Sequence, residues 1–253
     1  MSGIGKTVLV TGAAAGIGAG IAERFSEAGY AVAAFDIDGA GASRMAERLR
    51  TNAPAVAIQG DVAIEENARE AVAQTVRQLG SLDVLVNNAG IEVSGSVSDL
   101  TPSAWDRQIA VNLRGAYLMS KYAIEQMRGR GGAIIHISSV HAFVSWQGIA
   151  AYDATKAGLL GLTRAMALDH GPEKIRVNAI CPGYIDTPLM EKWLASVPDR
   201  EETMRQVLSY HPLGRIGKPR DDAEAALFLA SDAASFVSGA FLVVDGAMSV
   251  AGH

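Results

Sequence analysis

The sequence predicts a single α/β domain built on a doubly wound parallel sheet with helices on both faces. Seven short apolar segments alternate with longer amphipathic segments, and the short ones are nearly continuous in Val, Ile, Leu and Ala, which is typical of strands covered on both faces. The chain has 253 residues, 49% of them hydrophobic, and 27 glycines, which suits one layered core. Strands that alternate with helices in this order favour a parallel sheet with crossover helices.

The elements follow in chain order from this pattern. The predicted strands are Thr7–Val10, Ala31–Phe35, Ala55–Gln59, Val84–Val86, Ala133–Ile137, Arg176–Ile180 and Phe241–Val244. The predicted helices are Gly18–Ala28, Gly41–Arg50, Glu65–Leu79, Pro102–Met127, Tyr152–Asp169 and Asp221–Leu229. Thr101 before Pro102 is typical of a helix N-cap followed by proline in the first turn.

One segment, residues 188–215, interrupts the alternation of strands and helices. It carries both charged and large apolar residues, and we expect a helical lid because the segment is too short for a core of its own. Residues 1–253 are therefore interpreted as one domain that includes this segment. Met190, Trp193 and Leu194 of the lid are expected to order over a bound substrate and exclude water.

Composition excludes several kinds of partner. Lys and Arg total 22 against 27 Asp and Glu, and a net charge of -5 argues against nucleic acid. Cys181 is the only cysteine, so an intramolecular disulfide and a cysteine-rich metal site are excluded, and no metal is predicted. No signal-peptide pattern and no apolar run of membrane-spanning length is found, so we expect a cytoplasmic protein without a membrane partner.

A glycine-rich turn follows the first predicted strand, in the sequence TGAAAGIG at residues 11–18. Gly12, Gly16 and Gly18 allow a sharp turn and the close approach of a phosphate to backbone N–H groups at a helix N-terminus. The spacing is GxxxGxG rather than the GxGxxG of the usual dinucleotide fingerprint. The turn predicts a pyrophosphate-binding site.

Asp36 ends the second strand, 18 residues beyond Gly18, near the spacing at which an acid binds the adenosine ribose hydroxyls. A 2′-phosphate there would meet the carboxylate, and two like unit charges at 4 Å repel by about 4 kcal/mol at an effective dielectric of 20. The neighbouring Ala15 and Ile37 supply no cation. Asp36 therefore predicts NAD rather than NADP.

Two further strand ends place polar or small residues at the same edge of the sheet. Asp61 and Val62 follow the third strand, and Asn87-Asn88-Ala89-Gly90 follows the fourth. Sheets of this type bind ligands at the carboxyl ends of their strands.

Tyr152 and Lys156, in YDATK, are the candidate pair for proton transfer. Four residues apart on a helix, they lie on one face, and a lysine cation is expected to lower the pKa of the phenol from about 10. Tyr117 and Lys121 have the same spacing. Only Tyr152 is preceded by a strand that ends in serine, at Ser139, which favours Tyr152. Asn112 lies inside a predicted helix, where asparagine is unfavourable, and this suggests a polar role for its amide.

Taken together, these motifs resemble the short-chain dehydrogenase/reductase family over nearly the whole chain. They are TGAAAGIG, Asp36, Asp61-Val62, NNAG, Asn112, Ser139, YDATK and the CPG after the sixth strand. The resemblance implies a Rossmann-type domain with a seven-stranded parallel sheet, usually assembled as a homotetramer.

The resemblance also implies roles for individual residues. Asn112, Ser139, Tyr152 and Lys156 would form the catalytic tetrad, with Asn112 holding a water in a proton relay and Lys156 binding the nicotinamide ribose. Pro182, Gly183, Ile185 and Thr187 would face the nicotinamide. The cofactor-binding residues would be Gly12, Gly16, Ile17, Gly18, Asp36, Asp61, Val62, Asn88, Gly90, Tyr152, Lys156, Pro182, Gly183, Ile185 and Thr187.

Three polar residues near the tetrad concern the substrate: Glu92, His141 and Asp153. Glu92 after NNAGI, and Ser139-Val140-His141 with Trp146, look like the corresponding stretches of bacterial short-chain glucose 1-dehydrogenases. Ser139, Glu92 and His141 are therefore candidate substrate residues, because such groups recognise hydroxyls. Asp153, in place of a small residue, and Ala247, in place of a glycine, depart from that subgroup.

The resulting hypothesis is an NAD-dependent sugar or polyol dehydrogenase, with oxidation of an aldose at C1 to a lactone as its preferred form. A 3-oxoacyl carrier-protein reductase, or another short-chain alcohol or ketone dehydrogenase, shares the same motifs. An NAD-binding sensor without catalysis is the alternative of another class, and the intact Ser139, Tyr152 and Lys156 argue against it.

Two long predicted helices carry apolar residues on more than one face. These include Tyr117, Leu118, Leu159, Leu160 and Leu162. They indicate either contact with another subunit or burial against the chain's own sheet. The homotetramer expectation therefore depends mostly on the family resemblance.

Overall fold

A computed structural model describes residues 3–250 of the chain. Its seven strands are β1 (Thr7–Thr11), β2 (Ala31–Asp36), β3 (Ala55–Gln59), β4 (Val84–Asn87), β5 (Gly132–Ile137), β6 (Ile175–Pro182) and β7 (Phe241–Val244). They form one parallel sheet in the order β3-β2-β1-β4-β5-β6-β7. The predicted α/β class, the parallel sheet and the number of strands are confirmed.

Helices cover both faces of this sheet. They are α1 (Gly16–Glu27), α2 (Gly39–Leu49), α3 (Glu65–Leu79), α4 (Pro102–Ile109), α5 (Gly115–Met127), α6 (Ala150–His170), α7 (Pro188–Leu194), α8 (Arg200–Ser209) and α9 (Pro219–Ala230). Short 3₁₀ turns lie at Val140–Ala142, Gly171–Glu173, Asp232–Ala234 and Met248–Val250.

The continuous apolar character of the strands reflects two separate cores. Side chains alternate between the faces of a strand, so Val8 and Val10 of β1 pack in one apolar cluster and Leu9 in the other. The first cluster includes α1, α2 and α9, and the second includes α3 and α5. Burial of each large apolar side chain stabilises the fold by roughly 1.5–3 kcal/mol.

The predicted boundaries of most elements differ from the observed ones by one or two residues. The difference in β6 bears on the site, because this strand was expected as Arg176–Ile180 and runs two residues further, to Pro182. Its longer course carries the chain to the edge of the sheet where the fourth and fifth strands also end. The cap of α4 is as predicted, because the Thr101 hydroxyl oxygen accepts a hydrogen bond from the Ala104 N–H at 3.2 Å.

The predicted single helix Pro102–Met127 is wrong in one respect. A π-helical turn, Ala110–Arg114, separates α4 from α5 and contains Asn112. Such turns are uncommon and occur frequently at functional sites. Asn112 is therefore placed by a local widening of the helix rather than by a regular α-helical register.

Most of the apolar residues that indicated either contact with another subunit or burial against the sheet are buried within the chain itself. Leu118, Leu159 and Leu160 are buried, whereas Tyr117 is exposed. Lys121, the partner of Tyr117 in the second Tyr/Lys pair, donates to a Glu65 carboxylate oxygen at 2.9 Å on the outer surface.

Residues 188–215 contain α7 and α8, as the lid interpretation requires. The expectation that this segment is too short for a core of its own stays a prediction, because the small apolar cluster found here is shared with Tyr184 and Ile216 outside the segment. Met190, Leu194 and Val207 form a small buried cluster to which Trp193 adds partly buried surface. Leu194 is buried in this cluster, where three apolar side chains from the two helices pack together and exclude water.

The order of the strands positions the ligand site. β1 pairs with both β2 and β4, so the crossover connections from β1 and β4 leave the sheet in opposite directions and open a crevice at the carboxyl ends. Among residues 3–250, no helix combines the length and apolar character needed to span a bilayer.

Candidate active site

A cavity of about 910 Å³ lies along the carboxyl edge of the sheet. The predicted residues that line it are Gly12, Gly16, Ile17, Asp36, Asp61, Val62, Asn88, Gly90, Glu92, Ser139, His141, Tyr152, Lys156, Pro182, Gly183, Ile185 and Thr187. Gly18 and Asn112 do not line the cavity. They lie behind its wall and act through the residues that line it. One crevice thus brings together side chains that are distant in the sequence.

The turn between β1 and α1 is built for close backbone approach. Gly12 has φ +66° and Gly16 φ +58°, in the left-handed region that favours glycine. A Cβ on Gly18 would lie 2.1 Å from the Gly12 carbonyl oxygen, so only glycine fits there. The Asn88 amide donates to the Gly12 carbonyl oxygen at 3.1 Å and holds the turn from the side of β4.

The first N–H groups of α1 have no side-chain cap, because residue 15 at the N-cap is alanine. Unpaired N–H groups and the positive end of the helix dipole form a site that attracts phosphate. This donor set, together with the space that glycine leaves at Gly12 and Gly18, fits a dinucleotide pyrophosphate.

Asp36 lies at the end of β2 in a fixed orientation. Its two carboxylate oxygens accept hydrogen bonds from the Ala14 N–H and the Asp38 N–H, each at 2.9 Å. The nearby Arg44 forms an ion pair with Asp38 at 3.7 Å, is largely exposed and does not line the cavity. A half-buried acceptor without an adjacent cation suits ribose hydroxyls and repels an additional phosphate.

Asp61 and Val62 lie beyond the third strand, together with a residue that the sequence did not indicate. Arg107 of α4 lines the cavity and donates to an Asp61 carboxylate oxygen at 2.9 Å. The other Asp61 oxygen accepts from the Ala63 N–H at 2.9 Å. Arg107 is 46 residues from Asp61 and lies in no recognisable motif, so only the fold reveals the pair.

Asn112 is buried, and both polar atoms of its side chain are occupied within the protein. Its amide oxygen accepts from the Ile91 N–H at 2.8 Å, and its amide nitrogen donates to the Ile91 carbonyl at 2.9 Å and to the Thr155 hydroxyl at 3.2 Å. These bonds join the loop after β4 to α6 beside Tyr152. The geometry is that of a positioning residue, and the water relay stays a prediction.

Tyr152 and Lys156 lie on the first two turns of α6, where the long helix passes behind β5 and β6. The Lys156 ammonium donates to the Ile137 carbonyl at 2.8 Å and lies 5.3 Å from the centroid of the Tyr152 ring. Burial lowers the pKa of Lys156 to about 8. The Ser138 hydroxyl donates to the Lys156 carbonyl at 2.8 Å and fixes the helix against β5.

The expected lowering of the Tyr152 pKa is not observed. Burial raises the pKa of Tyr152 well above its ordinary value, and the carboxylates of Glu92 and Asp153 raise it further. A hydrogen bond with the Ser139 hydroxyl acts in the opposite direction. The prediction considered Lys156 alone and left out the loss of water and the two carboxylates, which raise the pKa.

The substrate candidates lie beside these groups. His141 Nδ1 is 2.9 Å from an Asp153 carboxylate oxygen, and the imidazole ring is 5.4 Å from the Tyr152 ring, centroid to centroid. Burial lowers the pKa of His141. Glu92 lines the same part of the cavity, and burial and the Asp153 carboxylate raise its pKa. Asp153, which departs from the pattern of the glucose dehydrogenases, therefore contacts His141 and raises the pKa of Glu92.

Aromatic rings cover this end of the cavity. Tyr184 stacks on Trp193 of α7 at 5.7 Å and meets Trp146 edge-on at 6.3 Å. Burial raises the pKa of Tyr184 to about 12, so its hydroxyl is neutral. Tyr184 lies within the predicted segment at residues 182–187, but its place in this wall depends on its contact with Trp193 of α7 and is not readable from the motif.

The residues after β6 form the wall opposite Tyr152. The Gly183 N–H donates to the Val244 carbonyl at 3.1 Å, and a Cβ on Gly183 would lie 2.8 Å from the Asp245 Cβ. The Thr187 hydroxyl oxygen accepts from the Met190 N–H at 3.3 Å and starts α7. The chain therefore passes directly from this wall into α7.

Comparisons with known proteins agree with this arrangement. A family model described as enoyl-(acyl carrier protein) reductase matches residues 12–249. The ligand-free structure of an aldohexose dehydrogenase from Thermoplasma acidophilum matches with a TM-score of 0.88 and 40% identity, covering 98% of this chain and 95% of that chain.

Two curated relatives cover nearly the full length of the chain. An L-rhamnose 1-dehydrogenase (NAD(P)(+)) from Azotobacter vinelandii is 41% identical, covering 98% of both chains. A cis-4-hydroxycyclohexanecarboxylate dehydrogenase from Sinomonas cyclohexanicum is 42% identical, covering 95% of both chains. The proteins that resemble this chain thus carry names with both sugar and non-sugar substrates.

Proposed function

Because the chain belongs to the short-chain dehydrogenase/reductase family, whose members it resembles are oxidoreductases of CH–OH groups, we propose that it is an NAD-dependent sugar or polyol dehydrogenase. The preferred reaction is oxidation of an aldose at C1 to the lactone. The coarser statement, an oxidoreductase that uses a nicotinamide cofactor, follows from the family itself.

One observation carries the proposal. Ser139, Tyr152 and Lys156 lie in the same cavity as the glycine turn and Asp36, and hydrogen-bond acceptors surround them. Glu92 and His141 are two of the acceptors that line this cavity. A substrate with several hydroxyls would pair with such groups, whereas a substrate without them would leave buried polar atoms unpaired.

The chain's own residues would act as follows. Ser139 and Tyr152 would hold the substrate oxygen, and Tyr152, in its phenolate form, would take the hydroxyl proton as the carbonyl forms. Lys156, with one proton committed to the Ile137 carbonyl, would use its remaining donors on ribose hydroxyls. A bound oxidised nicotinamide supplies the hydride acceptor and one positive charge. That charge opposes the burial and the carboxylates that raise the pKa of Tyr152.

The preference for NAD is supported at the adenosine end. Asp36 is fixed by two backbone donors, and the described cations that line the cavity, Arg107 and Lys156, pair elsewhere with Asp61 and the Ile137 carbonyl. A 2′-phosphate would therefore meet a carboxylate without a compensating charge.

The test is a screen for reduction of NAD and NADP by the purified protein. The panel contains aldoses, polyols, hydroxysteroids and cyclic hydroxy acids, and a reverse assay offers 3-oxoacyl thioesters with reduced cofactor. We expect NAD-dependent turnover of aldoses or polyols. Reduction of 3-oxoacyl thioesters without any turnover of aldoses or polyols would contradict the proposal and favour the carrier-protein reductase.

A sensor without catalysis is distinguished by one substitution. Tyr152→Phe removes only the hydroxyl that exchanges the proton. NAD binding that persists while turnover is lost supports the enzyme, whereas a wild-type protein that binds NAD and oxidises nothing in the panel supports the sensor.

We also propose a cytoplasmic homotetramer. The edge strand β7 exposes Phe241, Leu242 and Val243, and Phe236 before it is fully exposed, so an apolar surface remains for another subunit. Light scattering should give four times the chain mass of 26.4 kDa, and a monomeric mass would refute the assembly. Cell fractionation tests the compartment.

A further inference from the structure

Asp153 and His141 form a pair in the wall of the cavity beside Tyr152. His141 lies in the turn that follows β5 and Ser139, and Asp153 lies in the first turn of α6. His141 Nδ1 is 2.9 Å from an Asp153 oxygen, and the two side chains are only 17% and 19% exposed. The pair joins the two segments that carry the catalytic serine and tyrosine.

The pair determines which nitrogen of His141 carries the proton. A carboxylate only accepts hydrogen bonds, so Nδ1 must be the donor to Asp153. Burial lowers the pKa of His141, which favours a neutral ring with a single proton. Nε2 then holds a lone pair and acts as an acceptor.

His141 Nε2 is accessible from the cavity. The ring lines the cavity, no hydrogen bond to Nε2 is found among the described residues, and Nε2 is not one of their buried polar atoms without a partner. The ring packs against Trp146 at 4.7 Å and meets Tyr152 edge-on, so its direction is fixed from two sides.

We propose that Asp153 is a positioning residue that holds His141 with Nε2 as an acceptor for a substrate hydroxyl next to the one that is oxidised. The hydroxyl assignment rests on the proposed function, and it narrows the substrate class to compounds with neighbouring hydroxyls. Glu92 supplies a second acceptor in the same region, so the site selects hydrogen-bond donors.

The position of Asp153 supports a dedicated role. Its carboxylate raises the pKa of both Tyr152 and Glu92, which opposes formation of the phenolate. A small residue at this position would avoid that effect. The hydrogen bond from Asp153 to His141 can offset this cost to phenolate formation, because the bond orients a side chain that faces the substrate.

The first test is the tautomer of His141, measured from long-range proton–nitrogen correlations of ¹⁵N-histidine. His141→Gln assigns the signals. We expect a proton on Nδ1 and none on Nε2 in the wild type and in Asp153→Asn, whose amide oxygen still accepts, and a shift toward protonated Nε2 in Asp153→Ala. A wild-type His141 protonated on Nε2, or on both nitrogens at neutral pH, would overturn the proposal without reference to any substrate.

The second test compares an aldose with its 2-deoxy analogue. Asp153→Ala should reduce the wild-type preference for the aldose, measured as a ratio of kcat/KM values, by about 3- to 10-fold, which is the range of one hydrogen bond. Most of the change should appear in KM, and Asp153→Asn should restore most of the ratio. Asp169→Ala, on the exposed surface of the same helix, is the control and should leave the ratio of kcat/KM values unchanged.

A double substitution separates positioning from a general structural effect. In a His141→Gln background, Asp153→Ala should not change the ratio further. Equal losses for both substrates, or an undiminished effect of Asp153→Ala without His141, would overturn the proposal. If the wild type oxidises neither substrate, the proposed function fails while the tautomer measurement still decides whether Asp153 positions His141.

Discussion

Replacement of Asp36 by asparagine is expected to weaken the discrimination between NAD and NADP. The Asp36 oxygens accept from the Ala14 and Asp38 N–H groups, and an asparagine retains one acceptor, so the end of β2 should keep its shape. A 2′-phosphate would lie about 4 Å from the carboxylate, where one unit charge pair costs about 4 kcal/mol at a dielectric of 20.

Asp36 is only half-buried, so solvent and salt screen this repulsion, and about 2 kcal/mol is a reasonable remainder, equivalent to about 30-fold in NADP affinity. Loss of charged hydrogen bonds to the ribose hydroxyls should weaken NAD by roughly 10-fold. The NAD-to-NADP ratio of kcat/KM should therefore fall by on the order of 100-fold.

The assay is steady-state kinetics with each cofactor at a saturating concentration of one substrate, supported by the dissociation constants of both cofactors. Asp169→Asn, which removes a negative charge from the exposed surface of α6 outside the cavity, is the control for net charge. A wild type that uses both cofactors equally, or an unchanged ratio in Asp36→Asn, would refute the reasoning.

Three other predictions concern single residues. Tyr152→Phe should lower kcat by about 10²- to 10⁴-fold with little change in the NAD dissociation constant, and retained turnover in rapid kinetics would exclude the phenol as the proton acceptor. Gly18→Ala should destabilise the fold by about 1–3 kcal/mol and weaken NAD binding, because its Cβ would overlap the Gly12 carbonyl. Gly161→Ala in α6 meets no atom within 4 Å and should be neutral or stabilising in the same thermal denaturation assay. Asp222 is fully buried, its two oxygens lack a hydrogen-bond partner among the described residues, and burial raises its pKa to about 8. The folded state thus keeps this proton between about pH 4 and pH 8 while the unfolded state releases it, so stability falls as pH rises by up to about 1.4 kcal/mol per unit. Asp222→Asn should flatten denaturant-derived stability across this range, and an unchanged slope would contradict the assignment.

The sheet and most helices were predictable because their signals are local. Strands covered on both faces are continuously apolar, and helix starts such as Thr101-Pro102 combine a cap with a fixed proline φ. The glycine turn and Asp36 were also predictable, since each follows a strand and the carboxyl ends of parallel strands share one edge.

Features that depend on contacts between distant segments could not be predicted. The π-helical turn holds Asn112 against Ile91, which is 21 residues away, and no propensity signals it. The Arg107–Asp61 pair joins segments 46 residues apart. The pKa of Tyr152 depends on burial and on the Glu92 carboxylate, which folding brings near it, as well as on the neighbouring Asp153, so the spacing of Tyr152 and Lys156 alone gave the wrong direction.

The π-helical turn also limits how this chain tolerates changes in length. Deleting one residue between 110 and 114 would remove the extra residue that the widened turn accommodates, and α4 and α5 would join as a regular helix. Asn112 would then leave its place against Ile91 and Thr155, and the bonds that join the loop after β4 to α6 would be lost. A shortened variant would thus disturb the crevice beside Tyr152, so this is a poor place to trim or graft, whereas the exposed connection between α7 and α8 does not line the cavity.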